Sequence, residues 1–208
     1  MGNRPLRQQL WLLVALLSSV MLAVALVSLL GLKRQGEEVT ELTDVTGPAL
    51  SLNSAILQTM TNAETGLRGY IATGNPVLLA PYNGAERQAS VQLSELDKLL
   101  DKPQLSGYDP RVAARQTDAQ DAAIVRWWQY AAGARAEGLR AQGNLVAGKA
   151  IFDQVRVTNT ALASTLLADQ HVLRTRAGQT VAYYLAALLA MTALALLAGL
   201  AVDRKSVV

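Results

Sequence analysis

Residues 42–76 read LTDVTGPALSLNSAILQTMTNAETGLRGYIATGNP. Leu42, Ala49, Ile56, Ala63 and Tyr70 recur every seven positions, and Val45, Leu52, Met60 and Leu67 fall three or four residues on. That spacing puts one apolar seam along a helix that packs on others at shallow angles. Gly47-Pro48 interrupts the seam and predicts a kink, because proline has no backbone donor and collides with the preceding turn. Gly74-Asn75-Pro76 ends the helix and starts the next, with a C-terminal glycine, an asparagine cap and proline in first position.

Downstream, the pattern repeats. A second helix runs to about Leu100 with Ala85, Ala89, Leu93, Leu96 and Leu100 on one face, its regular part delayed by Pro81. Asp101 to Pro110 gathers turn residues, and Asp109 before Pro110 predicts the cap of a third helix lasting to about Ala141, closed by Gly143 and Asn144. A fourth helix carries Ile151, Val155, Leu162, Leu166 and Leu173 with no proline beyond it. Gly178 costs only about 1 kcal/mol there and need not end it. The fold expected is all-α: an antiparallel up-down-up-down four-helix bundle over residues 33–179.

Two apolar runs flank that region. Leu10 to Leu32 contains no charge and spans roughly 34 Å as a helix, enough to cross a bilayer. Val181 to Val202 is likewise uncharged. Residues 10–32 and 180–202 are therefore expected to be transmembrane helices. Ala23-Val24-Ala25 resembles a signal-peptide cleavage site, but the run continues through Leu32, which favours an uncleaved anchor. Lys and Arg near the membrane ends balance, so the positive-inside rule leaves a lean toward cytoplasmic ends at 1–9 and 203–208. Small residues line both runs, Ala15, Ser19, Ala23 and Gly31 in the first and Ala182, Ala186, Ala190 and Ala193 in the second, suited to intrachain packing or to a dimer.

Composition removes most chemistries. Of 208 residues, 51% are hydrophobic and 17% charged, with no Cys and a single His. Disulfides, thiolate or histidine-rich metal sites and a cysteine nucleophile are excluded. No carboxylate pair or activated nucleophile stands at workable spacing, so no catalytic residue, metal or cofactor is expected. The net charge of +3 comes from Arg4, Arg7, Arg204 and Lys205 less Asp203, while Lys33 to Gln179 is neutral, which argues for membrane anchoring and against nucleic acid. His171 to Thr175 lacks the acidic residue and proline of a phospho-acceptor box and reads as an exposed segment near the membrane.

The most distinctive stretch runs from Glu64 to Pro76, with Pro81-Tyr82 after it. Gly66 and Gly69 inside a helix each cost about 1 kcal/mol relative to Ala, so close backbone approach is expected there. Glu64 and Arg68 stand four apart, as an ion pair beside a tight crossing or as part of a polar cluster at the bundle's far end. The string resembles the signature of the CHASE domain, type 3: Glu64-Thr65-Gly66, Arg68-Gly69-Tyr70, Thr73-Gly74 and Pro81-Tyr82. Trp127 or Trp128 with Tyr130 and Ala131, then Gly148-Lys149 with Phe152, Asp153 and Arg156, add to it over roughly Glu37 to Arg176. Of the two adjacent tryptophans, one is expected in the core and the other over a dimer contact.

That resemblance implies an extracytoplasmic sensory input module of bacterial histidine kinases, cyclases or chemoreceptors, a homodimer in the inner membrane with a periplasmic bundle and a ligand not identified. It also implies contact or packing roles for Glu64, Thr65, Gly66, Arg68, Gly69, Tyr70, Tyr82, Lys149 and Arg156, which the helix order gathers at one end of the bundle. The output domain or signalling partner lies outside this chain, since Val208 follows closely on the second run. The alternative is a membrane-anchored structural or adaptor protein with no signalling output.

Overall fold

The computed structural model describes residues 6–101 and 110–206. Its elements are α1 (Leu6–Glu41), a π-helical turn (Leu42–Thr46), α2 (Gly47–Thr73), a 3₁₀ turn (Pro76–Leu79), α3 (Ala85–Leu100), α4 (Pro110–Glu137), a 3₁₀ segment (Gly138–Asn144) and α5 (Leu145–Ser206). There is no strand among the described residues. The chain divides into two compact units, one from Thr40 to Leu173 and one made of the ends, through Val39 and from Arg174. The cap expected at Asp109 lies outside the described residues, as do Arg4 and the side chains of Arg7, Arg204 and Lys205.

In the unit from Thr40 to Leu173, α2, α3, α4 and the first part of α5 share one apolar core. Its largest members include Trp127, Phe152, Ile56, Met60, Leu67, Ile71, Leu96 and Leu162. The face expected on α3 is the buried one: Ala85, Ala89, Leu93, Leu96 and Leu100. Contacts pair Thr46 with Asp169, Asn53 with Asn159 and Glu64 with Arg156, so positions rising along α2 meet positions falling along α5.

The chain's interruptions have local causes. Pro48 cannot donate to the carbonyl four residues back, and the helix widens into the π turn at Leu42–Thr46, directly ahead of the Gly47-Pro48 pair where a kink was expected. Gly74 adopts φ 73°, its N–H bonds the Tyr70 carbonyl at 2.7 Å, and the Asn75 side chain accepts from the Val77 N–H at 3.0 Å. What Pro76 opens is a single 3₁₀ turn, and α3 begins only at Ala85, after Gly84 at φ 82°. α4 ends at Glu137 and not near Ala141, because Gly138 takes φ 57° and turns the chain into a 3₁₀ segment ahead of Gly143 and Asn144.

Three seam positions also differ from expectation, Leu42 being half-buried. Leu52 is only half-buried, and its neighbour Asn53 faces the core instead; Tyr70 is half-buried while Ile71 is buried. A strict seven-residue repeat drifts about 20° per heptad on a straight helix, enough over the four heptads from Leu42 to Tyr70 to bring Ile71 inward, whereas Asn53, beside Leu52, is held inward by its amide bonds to Asn159 and Gln120.

In the second unit, Gly31 of α1 is buried against the Tyr184 ring of α5, where an added Cβ would lie 2.8 Å from the ring atoms. Ala15, Ser19, Ala23, Ala182, Ala186, Ala190 and Ala193 are exposed, so Gly31 alone of the small residues named above is buried. α5 runs without interruption through Gly178. By length and composition, one helix among the described residues is apolar enough to cross a membrane.

Candidate functional site

The two glycines of the signature sit where the chain crosses itself. A Cβ on Gly66 would lie 2.7 Å from the Leu78 carbonyl oxygen and 3.2 Å from the Pro81 ring, and one on Gly69 would meet the Leu78 side chain at 3.1 Å. The segment 76–81 thus lies across α2, and helix propensity is given up for that contact. The Tyr70 hydroxyl lies 3.3 Å from where a Cβ of Gly138 would be, tying the α2 end to the α4–α5 connection. Gln142 donates to the Ile71 and Ala72 carbonyls at 3.3 and 3.4 Å, two of the acceptors left open at the end of α2.

One turn back, Glu64 is buried although charged. Its Oε1 accepts from Arg68 Nη1 at 3.2 Å, and Oε2 stands 4.0 Å from Arg156 Nη2. Arg156 donates to Asp153 at 2.8 Å, Lys149 donates to the same carboxylate, and the Arg156 guanidinium stands 4.6 Å from the Phe152 ring centroid. These hydrogen bonds, that from Lys149 first, hold the Asp153 carboxyl below its ordinary range. Arg68 is exposed and Arg156 partly so, which keeps each pairing modest, whereas removing them would leave a buried carboxylate unpaired.

Aromatic packing closes the cluster from below. The Tyr130 ring lies directly against Gly148 and its hydroxyl donates to the Asn144 carbonyl at 3.0 Å. Burial raises the Tyr130 hydroxyl above its usual range, with Glu137 acting in the same sense. Trp127 meets Phe152 edge-on at 5.6 Å. The cavity bounded by Glu64, Arg68, Trp127, Tyr130, Gly148 and Lys149 has a volume of about 10 Å³. That is room for about one water molecule.

Of the candidate residues, Glu64, Arg68, Lys149 and Arg156 come together, and Asp153 joins them. Gly66, Gly69 and Tyr70 serve the crossing. Thr65 is exposed. Tyr82 is not part of the cluster: it packs edge-on against Trp128 at 5.2 Å, with the Arg135 guanidinium 5.4 Å from its ring centroid. Its hydroxyl is raised by burial, which outweighs the opposing effect of Arg135. Trp127 and Trp128 do not divide between core and surface; both are buried and stack edge-on at 4.6 Å. Adjacent positions on a helix differ by about 100°, and neighbours on both sides are close enough to cover both rings.

One constellation escaped the sequence reading altogether. Asn53 of α2, Gln120 of α4 and Asn159 of α5 are all buried. Asn159 Nδ2 donates to the Asn53 carbonyl and to Asn53 Oδ1, both at 2.7 Å; Asn53 Nδ2 donates to the Asn159 carbonyl at 3.0 Å; Gln120 Nε2 donates to Asn53 Oδ1 at 3.1 Å. Gln120 Oε1 has no partner among the described residues. The available signal was a polar residue breaking an apolar period on each of three helices, which in one sequence resembles any exposed amide.

A protein-family comparison completes the picture. The family model described as CHASE3 domain matches residues 39–176, close to the Glu37 to Arg176 span over which the resemblance was read. No curated protein and no solved structure matches the chain.

Proposed function

The chain belongs to the CHASE3 domain family, extracytoplasmic sensory domains of signalling proteins, and from that premise we propose that it is the membrane-anchored input module of a bacterial receptor. Residues 10–32 and 180–202 cross the inner membrane, both ends lie in the cytoplasm, and residues 33–179 form an antiparallel up-down-up-down bundle in the periplasm. The descending pairings of α2 with α5 support that arrangement. The two membrane runs are supported by large apolar side chains left exposed in α1 and late α5, among them Met21, Leu22, Leu29, Leu189 and Leu196. The bundle works by binding and movement, not catalysis, as a homodimer coupled to a cytoplasmic output domain or signalling partner.

The observation that carries this reading is α5, one helix from Leu145 to Ser206. A stiff element reaching from the polar cluster to the inner membrane face can deliver a shift or rotation made outside. A stimulus acts only if it binds the two packings with different affinity.

The test uses helical phase. In a chimera with a known output domain, two residues inserted after Arg176 turn everything beyond them by about 200°, and seven by about 700°, within about 20° of two whole turns. Output is expected to be lost or inverted with two and retained with seven. Equal output from both insertions would refute transmission through this helix.

A further inference from the structure

The described asparagines differ in the main-chain nitrogen that follows each of them. Ser54, Ala63 and Thr160 follow Asn53, Asn62 and Asn159 inside α2 and α5, where each N–H is taken by the carbonyl four residues back. Pro76 follows Asn75 and has no N–H. Leu145 follows Asn144, and its N–H donates to the Gln142 carbonyl. Asn83 stands apart. Its neighbour is Gly84, whose N–H has no hydrogen-bond partner among the described residues; the Asn83 side chain is exposed and likewise makes no hydrogen bond among them.

The fold itself requires this pair. The Ala85 N–H closes on the Tyr82 carbonyl at 3.2 Å, which makes Asn83 and Gly84 the centre of a turn. Gly84 takes φ 82° and ψ −10° while Asn83 keeps a negative φ. Those angles belong to a type II turn, which asks for glycine in its third position. A Cβ on Gly84 would meet nothing within 4 Å, so backbone conformation and not crowding keeps glycine here. The turn into α3 thus demands, directly after an exposed asparagine, the residue that shields its own nitrogen least.

We infer that Asn83 is a site of spontaneous deamidation, with the Gly84 nitrogen as nucleophile. The Gly84 N–H gives its proton to hydroxide, the nitrogen bonds to Asn83 Cγ, and the Cγ–Nδ2 bond breaks to release ammonia. Water then adds to the cyclic imide: opening at Cγ leaves aspartate, and opening at the main-chain carbonyl leaves isoaspartate. Nothing is oxidised or reduced. Either product carries a new negative charge just ahead of α3, where the helix dipole favours it. Isoaspartate also adds a methylene to the main chain inside the turn that seats Tyr82 against Trp128 at 5.2 Å.

The full-length chain in detergent is incubated for days at mildly alkaline pH and physiological temperature, then digested with trypsin at mildly acidic pH. Mass spectrometry reads the peptide of residues 69–87, which holds Asn75 as an internal control beside Asn83. A gain of about 1 Da is expected at Asn83 and not at Asn75, divided by chromatography into aspartate and isoaspartate forms. Its rate should rise about tenfold per pH unit, as loss of the Gly84 proton requires. Asn83→Gln, whose longer side chain must close a larger ring, should stay unmodified over the same period, with circular dichroism showing that it is folded. Three results would each overturn the assignment: no gain at Asn83 while a synthetic peptide of residues 69–87 converts, conversion at Asn62 or Asn144 as fast as at Asn83, or aspartate without isoaspartate. The readout involves neither a ligand nor an output domain, so its failure is distinct from a failure of transmission through α5.

Discussion

Removing the Asn53 side chain is the sharpest test of how this core is held. Asn53→Ala deletes the acceptor shared by Gln120 and Asn159 and the donor to the Asn159 carbonyl. Asn159 Nδ2 keeps the Asn53 main-chain carbonyl at 2.7 Å, so it remains paired. Gln120 is left with neither amide atom bonded within the described structure, since its Oε1 has no partner already. An orphaned buried polar group costs about 1–3 kcal/mol, and the vacated side-chain volume adds to that, for about 2–4 kcal/mol in all. For a unit of this size each kcal/mol moves the melting temperature by about 3–4 °C, so the midpoint should fall by about 10 °C. Gln120→Ala takes one donor from an oxygen that retains Asn159 and removes the unpartnered Oε1 with it, so no polar group is orphaned and the cost is the vacated volume and one bond, about 1–2 kcal/mol. Thermal melts followed by circular dichroism at constant detergent give both values. Should Asn53→Ala cost no more than Gln120→Ala, or less than about 0.5 kcal/mol, Asn53 is not the node of the network.

The same substitution should have opposite signs at two glycines. Gly66→Ala presses a methyl group on the Leu78 carbonyl and should lose about 1–2 kcal/mol despite its better propensity, whereas Gly133→Ala, with open space around it in α4, should gain up to about 1 kcal/mol; chemical denaturation of the pair checks this. Tyr130→Phe removes the bond to the Asn144 carbonyl and should cost about 1 kcal/mol in the same assay. Because the Asp153 carboxyl is held below its ordinary value of 3.8, its contribution is present above that pH and lost as pH falls through the folded value. Asp153→Asn should accordingly be less stable than the parent at neutral pH, with the difference closing in acid melts below 3.8; a difference that persists there refutes the ion-pair account.

How much of this was legible depends on which physical signal each feature leaves in a single chain. The buried face of α3 could be read residue by residue because it is amphipathic and short. Gly66 and Gly69 could be read as contact points because glycine in a helix is costly without one, though not that the partner is the segment from Pro76 to Pro81. Gly138 and Gly143 illustrate the limit: both offer a helix end, and it is Gly138 that takes φ 57° and packs at the Tyr70 hydroxyl. The grouping of Glu64 and Arg68 with Lys149 and Arg156 came from a family resemblance, since charges more than eighty residues apart carry no local sign of meeting. Tyr82 was assigned to that group by its place after the same turn, but its ring turns toward α4 and not α5. Asn53, Gln120 and Asn159 left only a sign that any exposed amide also leaves, because an amide inside an apolar period is the same letter whether it faces water or another amide.

The placement of polar contacts between α2 and α5 constrains what movement can be. They occur at three levels: Thr46, the residue directly ahead of α2, with Asp169 at 3.4 Å, Asn53 with Asn159, and Glu64 with Arg156 at 4.0 Å. Sliding α5 past α2 by one turn, about 5.4 Å, would break all three and bury unpaired amides in the middle of the core. An independent piston stroke of α5 is therefore the costly path. A shift that leaves the ties intact carries α2 along with α5 and takes up the difference against α3, which meets α2 through the shared core and the Thr59 hydroxyl donating to Gln92 at 3.1 Å, and against α4, which meets it through the Gln120 amide. The amide layer thus fixes register as a single buried asparagine does in a coiled coil. Replacing Asn53, Gln120 and Asn159 together by leucine removes every donor and acceptor at once, so stability should change little while register is freed. Disulfide scanning between α2 and α5 reads the result: cross-links in one register only, as in the parent, would show that the amides do not set it.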